Sequence, residues 1–212
     1  MSTSTNKTGG RNGRKRRNKK LTFQEKKMEK IAFSAIKKND AREVERKYKD
    51  LINPSQVVGS TGYLTSLTST ISVGPAFDQR IGMDIKVTSL QLRYTVTFND
   101  PINFMRVILF RWFDDDVPTI SDVLESNVPY SALAINTLTG KKMQVLHTNL
   151  IALSEGSVPN TVQEEYFSGN YHCSWDKTIN PDHGHFYLYA ITDSSVSGPN
   201  LKFYSRVRFT DQ

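Results

Sequence analysis

The 212-residue sequence predicts an all-β body, a sandwich or barrel, behind a basic N-terminal arm and a helix. Three observations predict it. From Pro54 onward the chain consists of short alternating apolar runs between turn residues, and all eight prolines lie there. Between Arg14 and Asn53 there is neither glycine nor proline, and apolar residues recur at helical spacing. Charge is segregated: residues 1–50 hold 17 Lys and Arg against 6 Asp and Glu, whereas the rest hold 11 against 15. The net charge of +7 therefore belongs to the front of a mildly acidic body. The expected organisation is an arm over residues 1–20, a helical segment over 21–53 and a β domain over 54–212.

Residues 1–20 contain Lys7, Arg11, Arg14, Lys15, Arg16, Arg17, Lys19 and Lys20 and no acid. With Gly9, Gly10 and Gly13 among Ser, Thr and Asn, this segment buries no core and is expected to be disordered alone. Such a run solubilises, neutralises phosphates with release of counterions, or serves as a nuclear-import address. Thr22-Phe23-Gln24-Glu25 then reads as a capping box, in which the Thr and Glu side chains satisfy the first amides of a helix. Met28, Ile31, Ala32, Ala35 and Ile36 give it an apolar stripe, and Val44, Tyr48 and Leu51 resume that stripe. The spacing predicts a helix over 22–38, extended or restarted to about 51. Its other face carries Lys26, Lys27, Lys30, Lys37 and Lys38, a solvated face or one that meets nucleic acid.

In the body, Leu90, Leu92, Tyr94, Val96 and Phe98 alternate with Gln91, Arg93, Thr95 and Thr97, the pattern of a half-buried strand. Residues 104–113 are apolar on both faces except at Arg106 and Arg111, as in a central strand. Pro118 to Leu124 reads as a short capped helix. Residues 144–153, 164–175, 185–192 and 201–210 supply further strands; in the last, Lys202, Tyr204, Arg206 and Arg208 face outward. Nineteen of the 22 aromatic residues follow residue 50, and a domain of this length buries roughly 70% of its unfolded surface.

Cys173 is the one cysteine, which excludes a disulfide within the chain and a thiolate zinc cage. Met1–Gly13 holds no apolar stretch, so no secretory signal is expected. No run approaches the ~18 apolar residues of a membrane helix, so no membrane partner is expected either. The His183-Gly184-His185 pair has the spacing of a cupin-type metal site, but no Glu follows Glu165 to complete it. Glu164 and Glu165 point to opposite faces of a strand and make a poor acid–base pair. Asp114-Asp115-Asp116 has no glycine-rich phosphate loop nearby. His147 and His172 stand without partners in sequence. Neither an enzyme nor a required cofactor is expected.

Several segments carry a family resemblance. Gln79-Arg80-Ile81-Gly82, then Ile85-Lys86-Val87 and Leu92-Arg93, resemble the first large strand of the satellite tobacco necrosis virus coat protein family. Phe110-Arg111-Trp112-Phe113, the acidic loop after it and Pro118-Thr119 to Val123-Leu124 resemble that family's next strand and short helix. Lys141-Lys142-Met143-Gln144-Val145-Leu146 is similar to the basic start of a later strand. Small circular single-stranded DNA viruses have shells of a similar kind.

The resemblance implies an eight-stranded jelly-roll sandwich, two four-stranded sheets face to face. It implies a homo-oligomer on the order of 60 copies closed by icosahedral symmetry, packaging a small single-stranded DNA or RNA genome. The protein is then expected in the virion, with the host nucleus as a station before assembly and a host receptor of unknown kind. The expected nucleic-acid contacts are Arg11, Arg14, Lys15, Arg16, Arg17, Lys19 and Lys20 of the arm, Lys26, Lys27 and Lys30 of the helix, and Arg93, Lys141, Lys142, Arg206 and Arg208 of the body. It further implies structural Ca2+ between subunits, with Asp211 at the matching C-terminal position and Asp114, Asp115 and Asp116 as further candidates. The opposing class is a cellular nucleic-acid-binding protein of ribosomal or chromatin type. A net acidic body disfavours it, because such proteins usually carry basic residues over the folded part too.

Overall fold

The computed structural model describes residues 24, 26–34, 45–99, 102–133, 143–154, 160–176, 180–195 and 198–212. Residues 26–34 form helix α1, on which Met28, Ile31 and Phe33 are exposed. The expected capping box and the helix end at 38 lie outside the described residues. Val44–Gln212 is a compact unit of its own.

That unit contains β1 (Lys47–Val57), β2 (Tyr63–Ser66), β3 (Asp84–Thr97), β4 (Ile102–Trp112), α2 (Ile120–Val123), β5 (Met143–Ser154), β6 (Asn160–Trp175), β7 (Pro181–His183), β8 (His185–Thr192) and β9 (Asn200–Asp211). A five-stranded sheet runs β1-β9-β3-β6-β7 and a four-stranded sheet runs β2-β8-β4-β5. Setting aside the three-residue β7, the first strand pairs with the last, the second with the next to last, β3 with β6 and β4 with β5, all antiparallel. That is one long hairpin rolled into two sheets, the jelly roll.

The alternation in β3 changes phase: Ile85 and Val87 are buried, then Leu90, Leu92, Tyr94 and Val96. A bulge between Val87 and Ser89 absorbs the extra residue and keeps both runs facing inward. These side chains meet Met105, Val107 and Leu109 of β4 and Phe186, Leu188 and Ala190 of β8 in the main core between the sheets.

A second core explains why β4 and β8 are apolar on both faces. Ile108, Phe110 and Trp112 of β4 and Tyr187, Tyr189 and Ile191 of β8 face away from the sandwich and are covered by Val123 and Leu124. Phe110 stacks on Tyr187 at 5.7 Å, and full burial of such a side chain stabilises by about 1.5–3 kcal/mol. The covering turn is α2, as predicted; the Asp122 carboxylate accepts the Thr119 amide at 2.8 Å, fixing the first turn. Arg111 is buried too, because its guanidinium donates to the His172 carbonyl at 2.9 Å and lies 4.6 Å from the Phe113 ring centre.

Two expectations are corrected. The helical stripe does not continue to 51: Lys47–Val57 is strand β1, so the body begins inside the segment expected to be helical. Val44, Tyr48 and Leu51 mimic a helical face only because the inward positions of β1 are partly polar, Lys47 and Asn53 among them. The strand over 90–98 is therefore the third of the body, although it does pair with the last one. The eight main strands form the expected roll, and the three-residue β7 extends its β6 edge.

Candidate nucleic-acid interface

The two sheets differ on their outer sides. The four-stranded sheet is covered by the connection through α2, whereas the five-stranded sheet exposes Ile52, Val162 and Tyr166 at 60–69%. Strand alternation sets what this open face presents. Outward residues are Tyr48, Asp50 and Ile52 on β1, Lys202, Tyr204, Arg206 and Arg208 on β9, Gln91, Arg93 and Thr95 on β3, and Val162, Glu164 and Tyr166 on β6. The register lines them up in rows: Asp50, Arg206, Gln91 and Tyr166 in one, Ile52, Tyr204, Arg93 and Glu164 in the next, then Lys202, Thr95 and Val162.

Two ion pairs organise the face. Arg206 binds Asp50 through both carboxylate oxygens at 2.7 Å, and its guanidinium carbon lies 4.7 Å from the Tyr48 ring centre and 5.8 Å from that of Tyr204. The hydrogen bonds from Arg206 hold the Asp50 carboxyl below the usual carboxylate range, and those to Asp50 raise Arg206 further. Arg93 pairs with Glu164 at 2.8 Å, and Gln91 donates to the same oxygen at 2.7 Å. Arg93 first and Gln91 second lower the Glu164 carboxyl. Arg208 reaches Ser89 Oγ at 3.5 Å, and Lys202 is exposed.

The expected contacts thus divide. Arg93, Arg206 and Arg208 share the open face, with Arg206 already engaged by Asp50. Lys26, Lys27 and Lys30 are exposed on α1. Arg11, Arg14, Lys15, Arg16, Arg17, Lys19, Lys20, Lys141 and Lys142 lie outside the described residues. Sequence reasoning missed Tyr48 and Ile52 as members of this face, since they sit on a strand read as helix.

The carboxylates implied as cation ligands also divide. Asp211 accepts the Ile81 amide at 2.8 Å and pairs with the fully buried Lys47 ammonium at 2.8 Å, so a cation there would meet that ammonium, and Asp211 does not fit the role. Asp114, Asp115 and Asp116 place their carboxylates within 4.8 Å of one another, a set of hard oxygen donors that fits Ca2+. The histidine pair is occupied otherwise. His183 Nδ1 meets the Phe113 carbonyl at 2.9 Å. Burial lowers His185 to about 4, so the ring is neutral; Nε2–H donates to the Ser174 carbonyl at 2.6 Å, and Thr68 donates to Nδ1 at 3.0 Å. Burial pushes the Cys173 thiol up to about 12, and it donates to the Gly184 carbonyl. Arg80, in the motif Gln79-Arg80-Ile81-Gly82, is a core residue, its guanidinium 4.1 Å from the Trp175 ring centre. Among the described residues no helix is long and apolar enough to cross a membrane.

One face of the sandwich is covered by its own loop and the other is left open with its arginines and tyrosines, the arrangement of a single jelly-roll protein. The chain belongs to the satellite tobacco necrosis virus coat protein family, whose profile matches residues 13–211. It is also similar to the coat protein of Maize white line mosaic Satellite virus, at 26% identity over 183 residues covering 79% of this chain and 82% of that one. Its role is that of a viral coat protein, a structural part of the virion that associates with copies of itself.

Proposed function

We propose that about 60 copies of this chain close into an icosahedral shell around a small single-stranded genome, which the basic arm gathers by neutralising phosphates. Charge segregation carries this reading: 14 Lys and Arg against 4 Asp and Glu precede residue 45, and the jelly-roll body behind them, with 14 against 17, is net acidic. With ~60 arms of eight cations each, the shell would supply about 480 positive charges, a scale suited to a genome on the order of a thousand nucleotides. The open face of the five-stranded sheet adds a second contact through Arg93, Arg208 and Lys202. Ca2+ would be held between subunits by Asp114, Asp115 and Asp116, crosslinking acidic loops that repel one another without it.

Electron microscopy of the purified full chain, with sequencing of nuclease-protected nucleic acid, tests the proposal. Uniform small shells containing one short single-stranded species are expected. Soluble monomers, or particles holding random host fragments at any length, would overturn it.

A further inference from the structure

On the open face of the five-stranded sheet lies a groove of about 280 Å³, lined by Ile52 and Pro54 of β1, Arg93 and Thr95 of β3, and Lys202 and Tyr204 of β9. Its lining joins an aromatic ring and an aliphatic side chain to two cations, and it contains no carboxylate. We propose that this groove binds one unpaired nucleotide of a single-stranded nucleic acid, with the base against Tyr204 and Ile52 and the flanking phosphates at Lys202 and Arg93. The inference rests on the reading that this face meets the genome, and it adds which part of the nucleic acid is held.

The register sets up the arrangement. Tyr204 on the middle strand stands directly between Ile52 and Arg93, and Lys202, two residues along the same strand, stands beside Thr95. The groove is therefore apolar and aromatic at Ile52 and Tyr204, with one cation beside them in the same row at Arg93 and another in the next row at Lys202. A nucleotide has the complementary form, a flat apolar plate flanked by anions.

The platform is held and the cations are available. Arg206 is fixed by its two bonds to Asp50 and lies near both the Tyr48 and Tyr204 rings, which restrains Tyr204 from the side. Among the described residues Lys202 makes no ion pair. The Arg93–Glu164 pair is about half exposed on both sides, at 55% and 49%, and such surface pairs contribute little. A phosphate can replace that carboxylate with little loss. Bases in a duplex are stacked on one another and do not present a free face, so the groove selects unpaired bases.

The test uses the full chain and three labelled probes of equal length: oligothymidylate, an abasic strand and a duplex. Affinities are measured across a salt series for the unaltered protein, Tyr204→Ala, Tyr204→Phe and Lys202→Ala. The base-bearing strand is expected to bind at least about fivefold tighter than the abasic strand, as stacking on one aromatic ring implies. Tyr204→Ala should erase most of that difference without altering the salt slope, and Tyr204→Phe should retain it. Lys202→Ala should shallow the slope by about one. Equal affinity for base-bearing and abasic strands, with a steep salt slope intact, would overturn the groove and leave the arm's role standing. A preference that survives Tyr204→Ala would also overturn it. Absence of salt-dependent binding to any probe would instead remove the packaging reading on which the groove depends.

Discussion

Lys47, the first residue of β1, and Asp211, the last of β9, form an ion pair of 2.8 Å in which the ammonium is fully enclosed. Asp211 also accepts the Ile81 amide, so one carboxylate ties together both ends of the jelly-roll body and the loop before β3. Removing it would leave the buried ammonium with the largely exposed Glu45, 3.9 Å away, as its remaining counter-charge, and breaking a buried pair costs about 3–5 kcal/mol in comparable cases. Asp211→Asn is therefore expected to lower the denaturant midpoint of the full chain strongly. Lys47→Met combined with Asp211→Asn should recover much of the loss. If Asp211→Asn is neutral in urea titration, the pair does not hold the strand ends.

Acid sensitivity is expected from His185. Its folded value near 4 lies below the ordinary 6.5, because burial disfavours the charged ring. Between pH 6.5 and 4 the unfolded chain binds a proton that the folded chain refuses. Stability should therefore fall as pH drops through that window, by about 3 kcal/mol in all, and be indifferent to this group above it. The NMR titration of the His185 imidazole checks this, and a midpoint near 6.5 would show that the ring is not buried neutral.

Deleting residues 1–20 should leave the melting temperature of the unassembled body unchanged, since among the described residues the buried ones lie from Lys47 onward. The shortened chain is expected to form empty shells, or to assemble only when salt screens the remaining charge. The ratio of absorbance at 260 and 280 nm in purified particles measures the outcome. Normal nucleic-acid content would show that the arm does not package the genome.

Chelation should lower the melting temperature of assembled particles if Asp114, Asp115 and Asp116 bind Ca2+ between subunits, because a ligand that binds only the assembled state stabilises it. Replacing all three with Asn should abolish the chelator effect. An unchanged melting curve, with no calcium found by elemental analysis, would remove the cation from the assembly.

The strands from β3 to β9, apart from the short β7, were legible because their inward residues are apolar and alternate, as Leu90 to Val96 do. The short helix α2 was legible from Pro118 and Thr119. β1 was not, because its inward start is Lys47, a residue that belongs inside only when Asp211, 164 positions later, supplies the counter-charge. β2 is four residues long, too short for a periodic signal.

Local sequence thus determined the charge segregation, the all-β body and the outward direction of Arg93, Lys202, Arg206 and Arg208, since those follow from composition and a period of two. Tertiary pairing decided which of these cations are engaged. Asp50 and Arg206 lie 156 residues apart, and only the β1–β9 register makes them partners. The same register set Tyr204 between Ile52 and Arg93 and so brought together groove residues that sit far apart in the chain. Sequence periodicity fixes the face of a strand, but contacts across strands depend on register, and register comes from the packing of the whole sandwich.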